Sequence, residues 1–212
     1  MFKNREEAGH LLAKNLMQYK NNKDAVIVTI PRGGVPLANV IANKLNLPID
    51  IILSKKIKHP FHKELAIGAV TLYNSILSPI AADVSNEYIE KETEHIRDLL
   101  KQRQKQYYGN KAPLILNNKI VILVDDGIAT GNTLLSSIEL IEQQKPSQII
   151  VALPVASPSV LQKIKQLSFV NKTICLLTPK NFRAVGQFYE NFNQVSDGEV
   201  IELLKKANTV NS

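Results

Sequence analysis

The chain has 212 residues and carries 26 Lys+Arg against 19 Asp+Glu, a net charge of +7. With 44% hydrophobic and 21% charged residues it is neither disordered nor short of a core, and a single domain spanning 1–212 is expected. One cysteine and four histidines exclude an intrachain disulfide and argue against a His/Cys zinc site, no apolar run approaches the ~18 residues that span a bilayer, and the net charge leaves room for an anionic partner, a phosphorylated metabolite or a nucleic acid.

MFKNREEAGH opens the chain without the apolar stretch of a secretory signal, so a reducing cytoplasm is expected. A first helix is predicted from Arg5 to about Tyr19, capped by Asn4, with Glu7 placed to reach back to the cap and Leu12, Leu16 and Tyr19 on its apolar face. Nearly continuous Ile/Val/Leu runs at Ala25–Ile30, Ile49–Leu53, Lys119–Val124, Gln148–Leu153 and Lys172–Leu177 read as strands buried on both faces. Helical patterns near Val35–Leu45, Asn132–Gln144 and Pro158–Leu167 separate them, a βαβ rhythm that predicts an α/β fold with a parallel core of about five strands flanked by helices. Between Lys55 and Lys119 the rhythm stops. Lys55–Leu65 reads as a basic loop, Ala66–Thr71 and Ser75–Pro79 as short strands, and Ser85–Tyr108 as a long helix, acidic first and basic later as the helix dipole favours, with Ile89, Ile96, Leu99 and Leu100 as a narrow apolar stripe. This insertion, about 57–110, and the tail, about 178–212, are expected to form a hood over one end of the sheet. Cys175 lies mid-strand between Ile174 and Leu176 and reads as a small core side chain.

The most informative stretch is IVILVDDGIATGNT, residues 120–133. A buried strand runs into two carboxylates, a turn of small residues follows, and a helix begins. Ligands of open α/β sheets bind beyond the carboxyl ends of strands, where this turn belongs. Amides of Thr130, Gly131, Asn132 and Thr133 at a helix N-terminus would cradle a phosphate, and the two Thr hydroxyls add donors. Carboxylates beside an anion site make sense if they serve a different group: Asp125 and Asp126 accept hydrogen bonds, and sugar hydroxyls donate them. An ordinary turn before a helix is the plainer alternative for the same residues. No Gly-Lys-Ser/Thr is present, so this is not a Walker A loop.

The DDxxxTGxT string resembles the phosphoribosyl diphosphate signature of the type I phosphoribosyltransferases. The resemblance implies that the acids bind the ribose hydroxyls while Gly127, Ala129 and the Thr130–Thr133 loop surround the 5′-phosphate. The 6-oxopurine enzymes usually carry an Asp immediately before the TG; here Ala129 stands there, which argues against hypoxanthine or guanine as acceptor. Ile30-Pro31-Arg32-Gly33-Gly34, at the end of the first strand, matches the position of the family's pyrophosphate loop, where Gly33 and Gly34 would expose their amides and Arg32 would supply charge. Lys55 and Lys56 follow the second strand, where relatives often place a pyrophosphate-contacting lysine. The Ile57–Leu65 segment falls where the family has a flexible active-site loop, and within it His59, His62 and Glu64 are candidates to move a proton, Glu64 being grouped with Asp125 and Asp126 as catalytic.

In the tail, Phe182, Phe188 or Tyr189 would stack on a planar acceptor or, on the plainer reading, close the core. The tail, the LSKKIKHPFHKELAIGAVT segment and the inserted helix together are similar to a little-characterised bacterial group of predicted phosphoribosyltransferases. What the resemblance implies is transfer of a phosphoribosyl group from phosphoribosyl diphosphate to a nitrogenous acceptor, a nucleobase above all. It implies Mg2+ as cofactor, held through the substrate and with Asp125 and Asp126 as the candidate acids beside it. Expected partners are those two small molecules, with no membrane and no nucleic acid, and a homodimer is admissible. The alternative is a regulator of the same fold that binds phosphoribosyl diphosphate, nucleotide or nucleic acid without turnover.

Overall fold

The computed structural model describes residues 1–109 and 112–209. In chain order come α1 (Arg5–Asn15), β1 (Ala25–Thr29), α2 (Gly34–Leu45) and β2 (Ile49–Ile51). An inserted block follows: β3 (Lys55–Lys58), β4 (Ala66–Val70), β5 (Ser75–Leu77) and α3 (Asn86–Tyr108). The chain then runs through β6 (Ile120–Val124), α4 (Asn132–Glu142), β7 (Gln148–Val155), α5 (Pro158–Lys165), β8 (Lys172–Leu177) and α6 (Asp197–Thr209). The expected parallel core is present, five strands in the order β2-β1-β6-β7-β8.

Strand alternation divides the core between the two faces of this sheet. Ile27, Ile122 and Ile150 pack on one side with Leu12, Leu16, Leu37, Ile41 and Val200 from α1, α2 and α6 and the turn after α1. Val28, Val121, Leu123 and Val151 pack on the other with Leu134, Ile138, Val160 and Ile164 from α4 and α5. Each fully buried Leu or Ile contributes about 1.5–3 kcal/mol relative to exposure, so the two layers account for the near-continuous apolar character of the strands.

Several details differ from the sequence reading. The first helix ends at Asn15 and tightens into a 3-10 turn, Met17–Tyr19, which keeps Leu16 in the core while Met17 is exposed. Asn4 caps α1 by accepting from Glu7 N–H at 3.0 Å, but Glu7 Oε2 accepts from Lys3 N–H, one residue ahead of the cap. The basic loop expected from Lys55 begins instead as strand β3, which pairs antiparallel with β4 to make a three-stranded sheet with β5. Its polar composition hid it, because only Ile57 faces a core.

The long helix is α3, capped by Ser85 and burying Ile89, Thr93, Ile96, Leu100 and Tyr107, with Leu99 half-buried. Its two ends are tied down. Tyr88 donates to Lys58 O at 2.9 Å, and Tyr108 donates to Asp50 Oδ1 at 2.6 Å. Asp50, buried in β2, also accepts from Ile51 and Leu114 N–H. Among the described residues no helix is long and apolar enough to cross a membrane.

Candidate active site

β1 and β6 are parallel neighbours, so the turns leaving them lie side by side. Thr29 Oγ1 donates to Val124 O at 2.9 Å and locks the two strand ends together. The turn after β1 then crosses directly over the carboxylates. A Cβ on Gly33 would overlap Asp126 Oδ2, and one on Gly34 would overlap Thr29 Oγ1 and lie 3.1 Å from Asp125 Oδ1. The glycines are therefore required for the approach of the two loops. The expectation that both expose their amides is corrected at Gly34, whose N–H turns back to Ile30 O at 3.3 Å to start α2. The Pro31–Arg32 peptide in this turn is cis.

Asp125 is half-buried and Asp126 is buried. Asp125 Oδ1 accepts from Asp126 N–H at 2.9 Å. Burial, then the neighbouring charge of Asp126, pushes the Asp125 carboxyl well above its ordinary range. Burial also raises Asp126, opposed by Arg5. Arg5 was not singled out in the sequence, yet its Nε donates to Asp126 Oδ2 at 2.8 Å and its Nη1 to Asn193 O at 2.8 Å. The guanidinium lies 3.8 Å from the ring centroid of Phe192, which stacks on Tyr189. Tyr189, buried, donates to Asp126 O at 2.6 Å. Of the aromatic candidates Tyr189 thus serves to close the core, and Phe182 pairs with Phe188 at 5.0 Å, both half-buried.

The loop after Asp126 is fixed from below. Ile128 N–H donates to Val155 O, Ser157 Oγ donates to Ala129 O at 3.0 Å, and Gly127 is buried against Val155 and Val185. Gly131 sits at the α4 N-cap with φ 78°, and a Cβ there would meet Val160 as well as strain the backbone. The first bond inside α4 is Leu135 N–H to Gly131 O at 2.8 Å, so the amides ahead of it have no helical acceptor. Thr130, Asn132 and Thr133 are exposed at this open helix end.

Lys55 and Lys56 line different clefts. They are consecutive in β3 and point to opposite faces. Lys56 lines a cleft of about 560 Å3 between the hood sheet and α4, together with Glu64, Asn132, Ser136 and Glu139. This places Glu64 beside one end of the signature loop but in a cleft that Asp125 and Asp126 do not line, so the expected grouping of three catalytic carboxylates is corrected to a pair and a separate residue. The sequence placed Glu64 in the Ile57–Leu65 segment as part of an active-site loop, whereas the turn between β3 and β4 sets it beside α4. Lys55 lines another cleft, about 460 Å3, with Ser54, Leu99, Gln102, Arg103 and Gln106. Among the described residues neither Lys55 nor Arg103 is paired with a carboxylate. Arg103 lies 6.0 Å from the Tyr107 ring, and Tyr107 donates to Asp197 Oδ1 at 2.6 Å. Burial and that hydrogen bond push the Tyr107 hydroxyl up to about 12 against the opposing charges of Arg103 and Arg32. The His59 and His62 rings lie 5.0 Å apart, and no group of three metal-binding side chains occurs among the described residues. Cys175 is half-buried in β8 and its thiol is pushed up by burial, as an inert side chain should be.

Residues 3–192, nearly the whole of this arrangement, match the family described as phosphoribosyl transferase domain. The chain belongs to that family. It is 31% identical over 213 aligned positions to a Mycobacterium tuberculosis protein that carries the provisional name phosphoribosyl transferase, an alignment covering 98% of this chain and 47% of the relative. The chain therefore spans about half the length of the curated relatives it matches. A uracil phosphoribosyltransferase of Mycoplasma genitalium is 37% identical over 60 residues, 28% of this chain and 29% of that protein. The crystal structure of the Thermus thermophilus protein TT1426 superposes with a TM-score of 0.85 at 33% identity, covering 97% of this chain and 98% of that one. The fold is thus the type I phosphoribosyltransferase fold.

Proposed function

We propose that the chain transfers the 5-phosphoribosyl group of phosphoribosyl diphosphate to a nitrogenous acceptor, releasing pyrophosphate. The observation that carries this is the meeting of two glycines, two carboxylates and an open helix N-terminus at adjacent strand ends. The amides and hydroxyls of Thr130–Thr133 take the 5-phosphate. Asp125 and Asp126 accept from the ribose hydroxyls, Arg32, Gly33 and Gly34 line the passage to the reacting carbon, and Lys55 with Arg103 receives the diphosphate end. The C1–O bond to the diphosphate breaks as the acceptor nitrogen forms the C1–N bond on the opposite face, and a nitrogen that carries a hydrogen gives up that proton. The protein contributes mainly placement and fixed charge.

Mg2+ fits as a cation held largely by substrate. Asp126 Oδ2 is engaged by Arg5 and Asp125 Oδ1 by an amide, so the chain offers at most one or two carboxylate oxygens, as such sites commonly do when phosphates complete the shell. When bound, it would supply charge neutralisation for the departing diphosphate. Glu64 with Lys56 stands in the cleft beside α4 that begins at Asn132, and its use as proton acceptor requires the 59–65 turn to close over the carboxylates. The similarity to a uracil phosphoribosyltransferase over part of the chain supports a nucleobase as acceptor. No feature of the site favours the regulator reading over this one.

The test is to incubate the protein with phosphoribosyl diphosphate, Mg2+ and a panel of nucleobases and follow pyrophosphate. Acceptor-dependent release is expected. Tight binding of phosphoribosyl diphosphate with no release for any acceptor would replace the enzyme reading by the regulator.

A further inference from the structure

The Asp126 carboxylate is set by residues far away in sequence. Arg5 comes from the first turn of α1, Asn193 and Phe192 from the tail, and the Arg5 guanidinium is gripped by an ion pair to Asp126, a hydrogen bond to Asn193 O and the ring face of Phe192. Both charged side chains are nearly closed to solvent, 11% and 12% exposed. An exposed ion pair positions little. This one is enclosed, and its planar guanidinium is held on two edges and one face, which fixes direction as well as charge. Tyr189 holds the Asp126 carbonyl in addition, and the Tyr189 ring lies on Phe192, the ring that carries Arg5. With Oδ2 committed to Arg5, Oδ1 is the oxygen a ligand hydroxyl would use.

Building on the reading above, we infer that Arg5 is a positioning residue for sugar recognition: it fixes the Asp126 carboxylate so that its second oxygen accepts one hydroxyl of a 5-phosphorylated ribose. Arg5 touches no substrate. It acts through Asp126, and the N-terminal helix and the tail are thereby parts of the sugar site although neither contains the signature. The phosphate loop is separate from this clamp, being anchored on Val155 and Ser157, so the sugar and phosphate contributions can be measured apart.

Calorimetry with ribose 5-phosphate and with inorganic phosphate gives, as a ratio of affinities, what the sugar hydroxyls add. Wild-type protein is expected to favour ribose 5-phosphate by about tenfold or more, the scale of a charge-assisted hydrogen bond. Arg5→Gln should reduce that ratio by about tenfold while the affinity for inorganic phosphate stays the same. Arg5→Lys, which keeps the charge without the planar fork, should fall between. Phe192→Leu leaves both charged groups in place and removes the ring under the guanidinium together with its stacking on Tyr189; a partial loss in the same ratio is expected, and it carries the test if Arg5→Gln does not fold. An unchanged ratio in the folded variants overturns the inference, and so does an equal loss for both ligands, which would mark Arg5 as a general support of the fold. A wild-type protein that binds phosphate but gains nothing from the sugar would overturn the assignment of Asp126 itself, and this inference with it.

Discussion

Asp125 is held in a state that favours binding over stability. Its carboxyl is raised by burial and by the adjacent Asp126, so in the ligand-free protein the ionised form is disfavoured. The sign follows from linkage. A carboxyl whose folded pKa exceeds its unfolded value of about 3.8 weakens folding as pH rises through the window between the two, and the penalty is full above the folded value. Asparagine at this position keeps an oxygen for Asp126 N–H and has no charge to bury. Asp125→Asn should therefore be more stable than wild type by about 0.5–2 kcal/mol near neutral pH, the usual scale of relief at a strained site. The gain should shrink on acidification toward about pH 4. The same variant should use phosphoribosyl diphosphate less well, by about 1.5–3 kcal/mol of lost charge-assisted bonding. Thermal unfolding across pH without Mg2+ checks the first part; an equal or lower melting temperature at neutral pH would show that the carboxylate is not under strain.

At the scale of elements, the decisive feature is the path of β3. A single strand sends Lys55 to the cleft against α3 and Lys56 to the cleft against α4. Read as a string, the two lysines are interchangeable; as a pleated strand they cannot share a ligand. The partner of Lys55 is then Arg103, from a helix that sequence reasoning treated only as a cover. Arg103→Ala is expected to raise KM for phosphoribosyl diphosphate by about tenfold, the loss of one charge-assisted contact, with a smaller change in kcat. Lys101→Ala, on an exposed lysine paired with Asp98, should change neither. Steady-state kinetics on the two variants decides the matter: equal KM values would detach α3 from the diphosphate end. Asp50 explains how α3 can be positioned well enough for such a role, since its buried carboxylate gathers Tyr108 at the helix end and Leu114 beyond it onto β2.

At the scale of the whole molecule, the proposed transfer makes acceptor choice a matter of what the site offers the attacking nitrogen. Ala129 lies in the signature loop with its carbonyl held by Ser157, and it has no group to exchange a proton. Hypoxanthine and guanine should be poor acceptors, at least ~10²-fold below the best one, since general acid–base help is typically worth ~10²–10⁴-fold. Ala129→Asp should narrow the gap. Comparable wild-type rates for hypoxanthine and the best acceptor would mean that another group, Glu64 or a loop histidine, reaches the ring.

The five parallel core strands, the long amphipathic helix and the carboxylate–glycine loop were all legible in the sequence, because each is written in neighbouring residues: apolar runs, a repeated apolar stripe, and a string of acids and small residues within one turn; the burial expected of β8 on both faces is corrected, since at the sheet edge its residues are at most half-buried. The hairpin of β3 escaped because an edge strand with one buried residue has almost no hydrophobic signature. Arg5 escaped for a stronger reason. It is separated from Asp126 by 121 residues, and in the first turn of a surface helix an arginine looks like any solvated charge. Its meaning, the parting of Lys55 from Lys56, and the crowding that excludes any side chain at Gly33 and Gly34 exist only once the chain is packed. Local pattern determined which elements form and where a turn of small residues opens a helix end; three-dimensional packing alone decided which charges face one another, because burial and distance, not order along the chain, set their interaction.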